Sequence, residues 1–215
     1  MLEIINLTKE YKRGDKIFKA LDNVNLKIDA GDFVNIIGRS GSGKSTLLNI
    51  AAGMLTPSSG KIIFDGEELS KKNDSELSFI RNNKIGFIPQ DASALPNLTV
   101  IENVLLPFYL YHHDGDGEKT ARNLLERLKI ENLADSYPSE LSGGELRRSL
   151  IARALINSPK IIIADEPTSD LDVNSTREVM EIFSDINSGG VAVLMVSHDL
   201  DTLKYGKKVF TMSDF

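Results

Sequence analysis

The chain has 215 residues, 41% of them hydrophobic, a formal net charge of −6 and no cysteine. That length and apolar content suit one large domain, or one core with a smaller lobe, while the missing cysteines exclude disulfides and thiolate metal sites and fit a reducing compartment. The acidic balance supplies no global field toward nucleic acid or anionic lipid. The polar start at Glu3 and Asn6 is no secretory leader. The longest apolar runs, residues 161–164 and 191–196, fall far short of the roughly 20 residues of a membrane helix. Any membrane role is therefore expected to run through a partner chain.

In chain order, the patterning predicts strands at residues 2–7, 20–28 and 33–37, the last after the turn Ala30-Gly31-Asp32. A helix rich in Leu and Ala is expected at 46–52, and a hairpin edge at 61–64 from the Asp65-Gly66 pair. A short strand at 84–88 ends at Pro89-Gln90. Residues 91–140 change character, with Pro96, Pro107, Pro138, a Gly/Asp loop at 114–117 and a helical pattern at 118–128. A helix follows at 144–157, halted by Ser158-Pro159, then a buried strand at 161–164 and a helix at 175–187. Strands at 191–197 and 208–212 close the chain. Strands alternating with helices imply an α/β fold with a mainly parallel sheet covered on both faces. We expect a phosphate-loop NTPase core with an antiparallel β subdomain, built from residues 1–90 and 159–215, and an α-helical lobe inserted at 91–158.

Gly38-Arg39-Ser40-Gly41-Ser42-Gly43-Lys44-Ser45 fits the pattern GxxxxGK[ST] without mismatch. The glycines let the backbone curl so that successive N–H groups point inward, and the following helix, opening at Thr46, adds its positive end. Lys44 is placed to reach the β and γ phosphates and the Ser45 hydroxyl to ligate Mg²⁺. The bland alternative is a Gly/Ser turn, and the strand, helix and Lys in sequence outweigh it. Further on, the apolar run at 161–164 ends in Asp165-Glu166. Carboxylates at a strand's carboxyl end open into the crevice where α/β sheets bind ligands. Asp165 is placed to hold Mg²⁺ and Glu166 to polarise the attacking water, against the reading of a plain acidic cap. Ser142-Gly143-Gly144 reads as a helix opening, which is either an anion site or an ordinary Ser N-cap. His112-His113 are adjacent, so their side chains diverge; solvated loop is the reading, not a metal site.

Leu141-Ser142-Gly143-Gly144-Glu145 is similar to the LSGGQ signature of ATP-binding-cassette (ABC) ATPases, with Glu in place of Gln. The resemblance extends over nearly the whole chain. Gln90 falls at the family's Q-loop glutamine, Ser169-Asp170-Leu171-Asp172 resembles the D-loop, and His198 follows a buried strand like the switch histidine. Tyr11 matches the aromatic residue that stacks on adenine; the alternative is a packing residue. The resemblance implies ATP and Mg²⁺ as cofactors, with Glu166, His198, Gln90 and Lys44 catalytic and Ser45, Gln90 and Asp165 around the metal. It also implies two cassettes head to tail, Leu141–Glu145 and the D-loop residues Asp170 and Asp172 of one serving the nucleotide of the other.

The stretch 12–19 and the segment Leu98-Thr99-Val100-Ile101-Glu102-Asn103-Val104 with Pro107 resemble the lipoprotein-release, macrolide-export and cell-division branch. That implies an ATP-hydrolysing subunit on the inner face of the cell membrane, bound to an integral membrane permease and powering efflux or extraction. Its alternative is a cassette regulating an extracytoplasmic enzyme through a permease-like partner. A soluble cassette acting in translation or repair fits less well, because those carry two cassettes or a long insertion. Among the apolar residues of 94–110, Leu95, Leu98, Val100, Leu105, Phe108 and Leu110 are candidates for the permease contact or for the lobe's own core. Two departures stand out: Pro89 where the branch favours an aromatic, and Leu146-Arg147-Arg148 in place of Gln-Gln-Arg.

Overall fold

The computed structural model describes residues 1–14, 16–91, 93–111 and 114–213. Among them, β1 (Leu2–Arg13), β2 (Lys16–Ile28), β4 (Ser59–Phe64) and β5 (Glu67–Glu68) form an antiparallel sheet in the order β2-β1-β4-β5. A parallel sheet is formed by β3 (Phe33–Ile37), β6 (Ile85–Ile88), β7 (Ile161–Asp165), β8 (Ala192–Val196) and β9 (Lys208–Thr211), ordered β6-β7-β8-β3-β9. Every residue of β7 and β8 is buried, the mark of strands covered on both faces.

The two faces of that sheet belong to different cores. Val34, Ile36, Ile161, Ile163, Leu194 and Val196 pack toward helix α1 (Lys44–Ala51) and the antiparallel sheet. Ile162, Ala164, Val193 and Met195 pack toward α3 (Val100–Leu110), α4 (Gly117–Arg127), α5 (Gly143–Leu155) and α6 (Val173–Ser188). A period of two in the strands thus sends alternate residues to the nucleotide-loop side and to the helical side.

The structure departs from the sequence expectations in four places. β1 and β2 run on beyond residues 7 and 20 as one long hairpin, pairing Tyr11 with Phe18 and Lys12 with Ile17. Its outer part is largely exposed, so it shows little apolar alternation. Helix α2 (Asp74–Lys84) is unanticipated, because Ile80 is its single buried residue among those described. It starts with a capping box in which Asn73 accepts from the Glu76 N–H and Glu76 accepts from the Asn73 N–H. Helix α3 continues through Pro107, whose missing N–H leaves the Asn103 carbonyl without its usual intrahelical donor. The Pro107 carbonyl in turn accepts from the side-chain amides of Asn82 (2.9 Å) and Asn157 (3.3 Å). Finally, Val100, Leu105 and Phe108 belong to the lobe's core, so of the candidate contact residues Leu95 and Leu110 are the ones clearly exposed. His112 and His113 lie outside the described residues.

Candidate functional site

The loop between β3 and α1 is shaped by its glycines. Gly41 and Gly43 have φ of 76° and 95°, and a Cβ on Gly43 would run into the Ala20 carbonyl oxygen. Gly43 is the N-cap of α1 and offers no side chain, and the first turn holds no acidic residue. The orphan N–H groups and the positive helix end are therefore left for an anion. Lys44 is buried, with its ammonium donating to the carbonyls of Gly38 (2.8 Å) and Arg39 (3.0 Å). Those bonds hold the charge in the mouth of the loop.

β7 delivers Asp165 beside this loop, next to Lys44 and the Ser45 hydroxyl. Burial pushes the Asp165 carboxyl above its ordinary value, opposed by the neighbouring Ser45 hydroxyl and by the charge of Lys44. Its Oδ1 is buried with no hydrogen-bond partner among the described residues. An orphaned carboxylate oxygen next to a hydroxyl is a hard-oxygen donor set that fits Mg²⁺.

Glu166 follows with φ 45°, a strained value for a non-glycine residue, and its N–H donates to the Val196 carbonyl (3.0 Å). The turn aims its carboxylate away from the strand. Its Oε2 accepts from Gln90 Nε2 at 3.2 Å and lies 3.1 Å from His198 Nδ1. With the carboxylate ionised, that imidazole nitrogen carries the hydrogen. Gln90 follows β6 and His198 follows β8, so the ends of adjacent parallel strands bring all three groups together. Behind His198, the Ser197 hydroxyl accepts from the Asp199 N–H (3.0 Å), fixing the turn.

One cavity of about 590 Å³ runs from this cluster along the phosphate loop to the hairpin. Gly38, Ser40, Gly41, Gly43, Lys44, Ser45 and Thr46 line it, with Gln90, Glu166 and His198 at one end and Tyr11 at the other. Arg39 and Ser42 do not line it: Arg39 is exposed, and the Ser42 hydroxyl is buried without a partner among the described residues. Tyr11 is 42% exposed, so it is a wall of the cavity and not a core residue. Phe18, its cross-strand partner and 56% exposed, lines the same end and was not anticipated. The signal available was its place opposite Tyr11, visible only once the hairpin register is known.

The signature residues Leu141, Ser142, Gly143, Gly144 and Glu145 do not line this cavity. They open α5, where the Ser142 N–H and hydroxyl donate to the Glu145 carboxylate (2.8 and 2.6 Å) and the Glu145 N–H donates back to the hydroxyl (3.4 Å). The N-cap alternative is thus realised in full as a capping box. Asp172 is likewise a cap, accepting from the N–H groups of Asn174 and Ser175, and Asp170 is exposed with φ 64°. Within one chain, the open helix end at the phosphate loop and the self-capped one at the signature are separate.

A family model described as ABC transporter matches residues 21–169. The macrolide export ATP-binding/permease protein MacB of Chlorobaculum tepidum is 42% identical over 214 residues, covering 100% of this chain and 33% of that protein. This chain therefore spans about a third of that relative's length. The lipoprotein-releasing system ATP-binding protein LolD of Buchnera aphidicola is 41% identical over 206 residues, covering 95% of this chain and 90% of LolD. The dimeric post-hydrolysis structure of the cassette MJ0796 from Methanocaldococcus jannaschii, bound to ADP and Pi, superposes with a TM-score of 0.91 at 40% identity, over 98% of this chain and 94% of that one.

Proposed function

The chain belongs to the ABC transporter family, and we propose that within it this ATP-hydrolysing cassette powers a separate membrane permease by closing head to tail on a second copy of itself. The cargo class is that of efflux or of lipoprotein and peptide extraction, in keeping with what MacB and LolD are named for. The chain sits on the inner face of the membrane; among the described residues no helix is long and apolar enough to cross one.

One observation carries the reading: Gln90, Glu166 and His198 converge at the mouth of a phosphate loop, while the chain's other prepared anion site, at Ser142, lies outside that cavity. A nucleotide on the loop is then gripped on one side only, and the second copy supplies the other.

The geometry supports the following roles. Lys44 and the N–H groups at the start of α1 neutralise and orient the β and γ phosphates. Glu166 takes the proton of the attacking water, held in aim by the Gln90 amide and the His198 imidazole. Mg²⁺, held by Ser45, Asp165 and Gln90, would supply charge neutralisation at the phosphate oxygens. Tyr11 and Phe18 offer ring faces to the base. Stacking of about 1–3 kcal/mol tolerates any base, so discrimination between ATP and GTP is modest. Ser142, Gly143 and Gly144 cover the γ-phosphate on the second copy, with Asp170 and Asp172 lining the joint.

The permease contact falls on the end of α3 and on α2. Phe79 is 50% exposed and packs edge-on against Tyr111, with ring centroids 5.8 Å apart, next to Leu110 at 63% exposure. A groove of about 280 Å³ opens beside them, lined by Arg81, Asn82, Pro107 and Leu110. We assign this face to a short helix of the permease.

The test has two arms. Glu166→Gln with ATP should scatter light as a dimer and revert to a monomer without nucleotide; a monomer at saturating ATP sinks the two-copy grip. Co-expressed with a candidate permease, the chain should be pulled down with it, and Phe79→Asp with Leu110→Asp should release it. Retention by that double variant would remove the docking face.

A further inference from the structure

We propose that Arg147 is a positioning residue that ties the signature end of α5 to the Gln90–Glu166 pair, so that engagement of Ser142 by the second copy's nucleotide is felt at this chain's own carboxylate. The proposal rests on the reading of Gln90 and Glu166 as the hydrolytic pair. Arg147 is only 6% exposed, and its guanidinium donates from one nitrogen to the Pro89 carbonyl (3.0 Å) and from another to the Gln90 carbonyl (3.1 Å). Two parallel donors on two successive carbonyls fix orientation as well as distance, which a single donor cannot. Pro89 stiffens the acceptor further, because its ring locks φ.

The connection is unbroken in both directions. Ser142 caps the helix on which Arg147 sits five residues later, about 7.5 Å along the axis. At the other end, the side chain of the Gln90 whose carbonyl Arg147 holds donates to Glu166 at 3.2 Å. Arg153, further along α5, donates to the Ser93 carbonyl and hydroxyl, both at 2.9 Å. Pro89, Gln90 and Ser93 are therefore all held by arginines of α5.

Charge does not explain the arrangement. Burial lowers the Arg147 affinity for its proton, and the nearby carboxylates of Asp170 and Asp91 only partly restore it. A buried guanidinium spent on backbone carbonyls serves alignment, and contiguous bonded contacts of this kind carry coupling between sites.

The test is phosphate release against ATP concentration, using the full chain. Arg147→Met should lower kcat by roughly 10–100-fold, the scale of a misplaced catalytic group. KM should stay within about twofold, and cooperativity in ATP should drop toward none. Arg147→Lys, able to reach one carbonyl, should fall between. If Arg147→Met does not fold, Arg147→Gln gives the same readout with a polar side chain in place. A folded variant that keeps the parent kcat and cooperativity overturns the proposal, as does a loss that follows only the folded fraction. Glu166→Gln is measured beside them: parent turnover there sinks the underlying site reading, whereas slow turnover with unaffected Arg147 variants sinks this proposal alone.

Discussion

Helices α1 and α5 both start on glycine-bearing turns that look outward, yet their first turns are finished in opposite ways. α1 begins on left-handed Gly43 with no side-chain cap and no acidic residue in its first turn. α5 begins on Ser142 inside a complete capping box closed by the Glu145 carboxylate. The first end leaves its N–H groups for an anion from solution. The second already holds an anion of its own, and hydrogen bonds from the Ser142 hydroxyl and N–H keep the Glu145 carboxyl below the usual range. A phosphate reaching Ser142 must compete with that carboxylate. One end is thus open to an anion from solution, while the other is closed by a carboxylate of its own.

The contrast can be broken most forcefully at the open end. Glu166→Gln should slow phosphate release by roughly 10²–10⁴-fold while ATP still binds, the range for losing a general base. Parent turnover would move the hydrolytic group elsewhere. Lys44→Ala should weaken ATP binding by roughly 10–100-fold in calorimetry, since a charge-assisted contact is lost. Unchanged affinity would mean that α1 is not the primary anion site. At the self-capped end the effects are smaller. Ser142→Ala should cost about 1 kcal/mol of stability, a fall of about 2–4 °C in calorimetric Tm, and leave monomeric ATP binding as it was. A loss of monomeric affinity would erase the distinction between the ends.

The smallest effect sharpens it. Because the folded Glu145 carboxyl is held below its unfolded value, its contribution is present above the unfolded pKa and is lost as pH falls through the folded one. Glu145→Gln should therefore flatten the acid side of a plot of Tm against pH, modestly for a group still partly open to water. An unaltered acid limb would show that the carboxylate does not close the cap.

Much of the core could be read from local sequence. The phosphate loop and the Asp165-Glu166 strand end each lie within a few residues, so spacing alone expresses their geometry. Phe18, Arg147 and Arg153 were hidden because their roles depend on pairing: Phe18 on the register that sets it opposite Tyr11, and the two arginines on Pro89 and Ser93, 58 and 60 residues away along the chain. Helix α2 escaped differently, since one buried Ile80 gives almost no periodic signal, although Asn73 and Glu76 spell a capping box. Pro107 marks a change of character in the sequence, yet α3 absorbs it, because Val104, Leu105 and Phe108 are buried on either side of it and amides from Asn82 and Asn157 meet its carbonyl.

The five-stranded sheet is a party wall. The rooms on its two sides are furnished mostly apart, the triphosphate grip and the aromatic hairpin from one and the lobe from the other, with Ile85 and Ile156 of the two cores meeting in the groove beside Leu110. A substitution confined to the far room is therefore expected to leave the phosphate loop next door as built.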